Sequence, residues 1–131
     1  MPAPGMIAIP CPDGYHAALA RLDAALTAHG IQPLARIDHA AAARAAGLAL
    51  PPLLLILFGN PKLGTPLMQA HPSLGIDLPL KLLLWEEQGT CYIGYNDPHW
   101  LAERHGRSTA SSEILATMRG LLDLLARAAA G

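Results

Sequence analysis

The residues able to do chemistry in this chain cluster between Leu53 and Trp100. Lys81, Trp85 and Tyr92 form the sharpest grouping. On a strand, Lys81 and Trp85 point to the same side, and a two-residue turn at Gln88-Gly89 sets Tyr92 opposite Trp85. Leu83, Gly94 and Asn96 complete that face, which is neither cleanly polar nor cleanly apolar. A lysine beside aromatic rings can pair with a carboxylate or lie over a ring. The same pattern also suits a self-association face, with the lysine stem covered and its head in water. A one-residue change of turn would exchange the two faces of the hairpin.

A second grouping lies upstream. Gly59-Asn60-Pro61-Lys62-Leu63-Gly64-Thr65 follows an apolar run and mimics part of a phosphate loop. A true phosphate loop carries its lysine directly after the second glycine. Here Lys62 lies inside the loop and Pro61 removes a backbone donor, which excludes nucleotide hydrolysis and leaves one anion held by Asn60, Lys62 and Thr65. His71 and Met68, with His99, are the available haem ligands, although no attachment motif accompanies them. His99 and His105 are six apart, on different sides of a helix, and make no metal pair. Cys91 lacks a neighbouring histidine or a CxxC partner, and Asp77, Glu86 and Glu87 do not read as a glycosidase pair. The serines of Ser108–Ser112 read as helix caps.

Bulk properties narrow the classes. The 131 residues suit one domain spanning 1–131, with enough surface buried for a core without staples. Hydrophobic residues make up 52% and charged residues only 15%, which argues against disorder and for apolar surface in need of cover. A net charge of -1 provides no basic face for nucleic acid. Cys11 and Cys91 are too few for a disulfide framework and read as buried thiols of a reducing compartment. The start, MPAPGMIAIP, has no signal-peptide pattern. The apolar run Leu53–Phe58 is far shorter than the ~18 residues of a membrane span. A soluble, cytoplasmic protein is the expectation.

The elements that must position these groups are legible. Met6–Ile9 reads as a strand. Asp13 is placed to cap a helix with Tyr15, Leu19, Leu22 and Leu26 on one stripe, closed by Gly30. Ile31–Ile37 reads as an edge strand because of Pro33. Asp38 or His39 caps the short alanine-rich turn Ala40–Ala46. Leu53–Phe58 reads as a central strand covered on both faces. Gly59–Gly75 reads as a long functional loop with a turn of helix near Thr65–Ala70. Pro79–Trp85 and Thr90–Tyr95 make the hairpin, with Leu80, Leu82, Leu84, Cys91, Ile93 and Tyr95 facing the core. Asp97 and Pro98 start a helix over His99–His105. Ser111 caps the last helix, whose stripe is Ile114, Leu115, Met118, Leu121, Leu122 and Leu125, with Gly120 marking a close helix contact. The fold class is α+β: about five strands in a mostly antiparallel sheet, with two long helices on one face.

Four stretches resemble the DUF302 family of small bacterial domains: FGNPKLGTPL at 58–67, DLPLK at 77–81, Tyr95-Asn96-Asp97-Pro98, and Arg104-His105-Gly106. The resemblance covers nearly the whole chain. It implies a β-α-β(4)-α order like that of TATA-binding-protein-like folds, and a homodimer; it implies no activity. The residues read first as a dimeric module binding a small anionic or aromatic ligand, with its site at the Gly59–Gly75 loop and the Lys81/Trp85/Tyr92 face. The alternatives are a haem protein or small enzyme using His71 or His99 beside Lys62 and Lys81, and a purely structural interaction domain. No catalytic motif stands in the sequence, which favours binding over catalysis.

Overall fold

A computed structural model describes residues 2–106 and 112–131. In chain order the elements are β1 (Met6–Pro10), α1 (Tyr15–Ala28), β2 (Ala35–Asp38), α2 (His39–Ala45), β3 (Leu53–Phe58), α3 (Pro61–Ala70), a 3-10 helix (Pro72–Ile76), β4 (Leu80–Glu87), β5 (Thr90–Asn96), α4 (Pro98–Arg104) and α5 (Ser112–Ala130). The strands form one antiparallel sheet in the order β1-β5-β4-β3-β2. With the short helices set aside, this is the expected β-α-β(4)-α order in an α+β fold.

The sheet has one core face. Leu54, Ile56, Phe58, Leu80, Leu82, Leu84, Cys91, Ile93 and Tyr95 project from it into a cluster with Ala18, Leu22 and Leu26 of α1 and Leu115, Met118, Leu122 and Leu125 of α5. Alternation along each strand follows from the two-residue side-chain period, and the helical stripes follow from the 3.6-residue period. The hairpin register is the expected one: Trp85 pairs with Tyr92, Leu84 with Ile93 and Leu83 with Gly94. Gln88 (φ 52) and Gly89 (φ 80) both take left-handed backbone conformations. That is the geometry of the tight turn whose twist matches the strands.

Several expectations are corrected. Asp13 does not cap α1; Gly14 stands at the cap with no side-chain bond, and Asp13 instead pairs with Arg21 at 2.7 Å. The second strand is shorter than Ile31–Ile37, at Ala35–Asp38, and it is an edge as Pro33 suggested. β3 is neither central nor covered twice. It lies second from the edge and its side chains alternate between buried and half-buried. A continuous apolar run suggests double cover, but here it makes one face core and leaves the other open. Gly59–Gly75 is no loop: α3 and the 3-10 helix occupy most of it, with Asn60 Oδ1 accepting from the Lys62 N–H at 3.0 Å. Pro61 at the first helical position replaces an N–H that would be unpaired anyway. Gly120 has open space where a side chain would go, so it marks no helix contact. The expected caps at Ser108 and Ser111 lie outside the described residues.

Candidate functional site

Two regions hold the chain's chemistry, and Lys81 joins them. The first is the sheet face turned away from both long helices. It carries Leu53, Leu55 and Leu57 from β3, Lys81, Leu83 and Trp85 from β4, and Tyr92 and Gly94 from β5. The pairing of Ile37 with Leu55 adds Ile37, which is 41% exposed. None of these belongs to the core cluster. Trp85 and Tyr92 stack with ring centroids 5.5 Å apart at 28°. Gly94 makes this possible: a Cβ there would sit 3.0 Å from Trp85 Cζ3 and 3.1 Å from Met6 Cε. The missing side chain lets both residues lie down on the sheet.

Lys81 is half-buried at the start of β4. Its ammonium donates to the carbonyls of Asp77 at 2.8 Å and Pro79 at 3.0 Å rather than lying over the aromatic pair. Two of three donors are thereby used. Burial pulls its pKa down, and the Asp77 charge opposes that pull. Lys81 and Asn96 line one shallow depression of about 230 Å³ together with Asp77, Pro79, Leu80, Leu101 and Leu122. The depression opens to solvent, and its enclosed part has room for about one water-sized group, so only a small ion would fit it.

The second region is a polar corner around Asp77. Arg104 Nη1 donates to both Asp77 oxygens at 2.9 Å. His105 Nε2 lies 2.5 Å from Asp77 Oδ2, and Ser73 Oγ lies 2.7 Å from His105 Nδ1. Helix α4 builds half of this corner. Asp97 caps its start through the His99 N–H, and Arg104 and His105 come at its end. The 3-10 helix brings Ser73 and Asp77 to meet them. On the other side of Asp97 a charged chain ties β5 to α5: Arg119 donates to Asp97 Oδ2 at 3.0 Å and to Tyr95 Oη at 3.1 Å. Tyr95 in turn donates to Asp123 Oδ1 at 3.0 Å. Burial pushes the Tyr95 hydroxyl pKa up, so that hydroxyl stays a donor.

The residues expected from sequence are only partly gathered. Trp85 stacks on Tyr92, and Lys81 shares a depression with Asn96. Asn60 is occupied as a cap, and Lys62 and Thr65 are exposed on α3. No described contact joins those three to the sheet face. Of the haem candidates, Met68 packs against the core, His71 approaches Gly106, and His99 Nδ1 meets Asp97 Oδ1 at 3.3 Å. Among the described residues no cluster of three or more His, Cys, Asp or Glu side chains could hold a metal. Cys11 and Cys91 are adjacent, with the Cys11 N–H bonded to the Cys91 carbonyl at 2.8 Å. Burial and the neighbouring thiol push the Cys91 pKa up to about 12, which leaves it a poor nucleophile. The Ser73–His105–Asp77–Arg104 corner is not visible in the sequence, because its members lie up to 32 residues apart. The available signal is that DLPLK and Arg104-His105-Gly106 both stand among the family-like stretches.

The corner also fastens the α3 excursion to α4. We expect Asp77→Asn to lower unfolding free energy by ~1–3 kcal/mol in urea titrations, since it places an amide against Arg104 and a shielded imidazole. A loss within ~0.5 kcal/mol, typical of plain surface changes, would refute the role of the corner as a fastening.

Residues 7–125 match the profile of the family described as domain of unknown function DUF302, and the chain belongs to that family. The crystal structure of an uncharacterized conserved protein DUF302 from Bacillus stearothermophilus superposes with a TM-score of 0.82. It is 23% identical and the match covers 97% of this chain and 99% of that one; this similarity shows the shared fold. The chain is also 38% identical over 115 residues to the fluoride-specific ion channel FluC 1 of Brucella suis, covering 87% of this chain and 45% of that protein. A fluoride-specific ion channel FluC 1 of Brucella abortus matches at the same identity with 43% of its length covered. The chain thus spans less than half the length of these curated relatives. No helix among the described residues is long and apolar enough to cross a membrane.

Proposed function

We propose that this protein is a homodimeric binding module. Two copies pair through the open sheet face, and the depression at Lys81 and Asn96 takes a small anion. The observation that carries the reading is the open face itself, whose Leu53, Leu55, Leu57, Leu83, Trp85 and Tyr92 lie outside the core. Four strands ~4.8 Å apart, each about six residues long at ~3.3 Å per residue, make this patch roughly 400 Å². Two copies would bury ~800 Å², the size of a weak, exchanging interface. Along β4 the face has Lys81 near one end and Glu87 at the other. A two-fold pairing, in which each residue meets the other's partner, can set those opposite charges together.

Sedimentation of the wild-type chain is expected to show a species of twice 13.8 kDa. Leu55→Arg with Leu83→Arg should yield the monomer, with unchanged helical circular dichroism. A monomeric wild-type protein, or a double variant that stays dimeric, overturns the interface. Native mass spectrometry of the wild-type chain is expected to show a bound anion that Lys81→Ala loses while staying dimeric.

A second reading comes from the relatives named as fluoride-specific channels. The matching stretch is less than half the length of those relatives, and no helix among the described residues here is fit to cross a membrane. On this reading the domain works beside a membrane path for a small anion, in keeping with the small size of the Lys81 depression. Tryptophan fluorescence that responds to sodium fluoride but not to sodium chloride would favour it, and identical responses would count against it.

A further inference from the structure

We propose that Ser73, His105 and Asp77 form a hydrolytic triad acting on small carboxylic esters, an activity distinct from anion binding at the Lys81 depression, with which the triad shares only Asp77. The two nitrogens of the His105 ring face a hydroxyl at 2.7 Å and a carboxylate at 2.5 Å. This is the arrangement in which an imidazole takes a proton from a nucleophile while a carboxylate orients it and stabilises the resulting cation. The nitrogens are used in the opposite order to serine proteases, with serine on Nδ1 and aspartate on Nε2. Either nitrogen can accept a proton in the matching tautomer. A carboxylate accepts only, so Asp77 selects the tautomer protonated at Nε2. Nδ1 then has its lone pair towards Ser73.

Exposure is graded as a nucleophilic site requires. The His105 side chain is 8% exposed and that of Asp77 15%, while Ser73 is open to solvent. A purely structural latch is complete with the bonds from Asp77 to Arg104 and His105. An exposed Ser73 hydroxyl adds little stability to it, because water would serve that hydroxyl equally well.

In the first half-reaction Ser73 Oγ attacks the ester carbonyl carbon and its proton passes to His105 Nδ1. The tetrahedral adduct collapses, the C–O bond to the alcohol breaks, and the leaving oxygen takes the proton from Nδ1. Water then attacks the acyl-Ser73 carbonyl, giving a proton to Nδ1, and Ser73 leaves with that proton as the carboxylic acid departs. The sum is ester plus water to acid plus alcohol. Ser73 stands on a single exposed 3-10 turn, so substrate approaches from open surface, which suits a small acyl group.

The test uses the whole chain with p-nitrophenyl acetate and with a fluorophosphonate probe. We expect hydrolysis with a single adduct that peptide mass mapping places on Ser73. Ser73→Ala, exposed and therefore free to fold, should abolish the adduct and lower kcat/KM by ~10³-fold, and His105→Asn by a similar factor. Absence of an adduct, an adduct on another residue, or hydrolysis retained by Ser73→Ala would each overturn the proposal.

Discussion

Leu82→Ala is expected to be among the most damaging single substitutions in the chain, lowering unfolding free energy by ~2–5 kcal/mol. Leu82 sits on β4, the middle strand of five, and is 0% exposed. It pairs with Ile56 on one side, and the register Leu83↔Gly94 puts Tyr95 across from it on the other. Buried residues of α1 and α5 complete the same cluster. Truncation removes transfer free energy and leaves a cavity that a paired central strand cannot collapse into. Leu83 is one residue along and faces the open side, so at a protein concentration low enough to keep the chain monomeric Leu83→Ala should cost much less, under ~1.5 kcal/mol. Urea denaturation of the two variants measures the difference. Equal losses would mean that the sheet has no single core face.

Gly94→Val is expected to damage the sheet from its other side. The new Cβ would lie 2.9 Å from the Ile7 carbonyl oxygen, 3.0 Å from Trp85 and 3.1 Å from Met6. The side chains can rotate away, but the Ile7 carbonyl belongs to β1, which is paired with β5 through Ile7↔Tyr95 and Ala8↔Gly94. Relieving the clash therefore loosens an edge strand and displaces Trp85 from Tyr92. Overpacking of this kind costs ~1–3 kcal/mol, and the higher strand propensity of valine does not offset it because the conflict is steric. At this chain length, about 3–6 °C of Tm should be lost per kcal/mol, together with the aromatic near-ultraviolet signal of the stacked pair. Unchanged Tm and an unchanged spectrum would show that Gly94 has room to spare.

What can be read from sequence alone is whatever depends on local periodicity. The stripes of α1 and α5, the cap at Asp97 and the Gln88-Gly89 turn are decided by neighbours within four residues. The turn also sets which hairpin side chains share a face, so Lys81, Trp85 and Tyr92 group together in sequence and structure alike. Composition points to uncovered apolar surface, and Leu34, Ile37, Leu48, Leu50 and Ile76 are exposed. Periodicity cannot say whether Leu53–Phe58 is covered once or twice, since an apolar run serves either, and cover comes from distant helices. It finds only the second half of α3, the turn near Thr65–Ala70, because Pro61, Gly64 and Pro66 look like loop punctuation. That helix is made possible by the Asn60 cap, a proline in its first turn, and Leu67 buried in the core.

The polar corner depends wholly on tertiary structure. Ser73, Asp77, Arg104 and His105 have no spacing that marks them, since two sequence-distant turns carry them and only the docking of α4 beside the 3-10 helix makes them neighbours. Residues that face one another through a strand or helix repeat announce themselves in the chain. Residues that meet because two elements pack together do not.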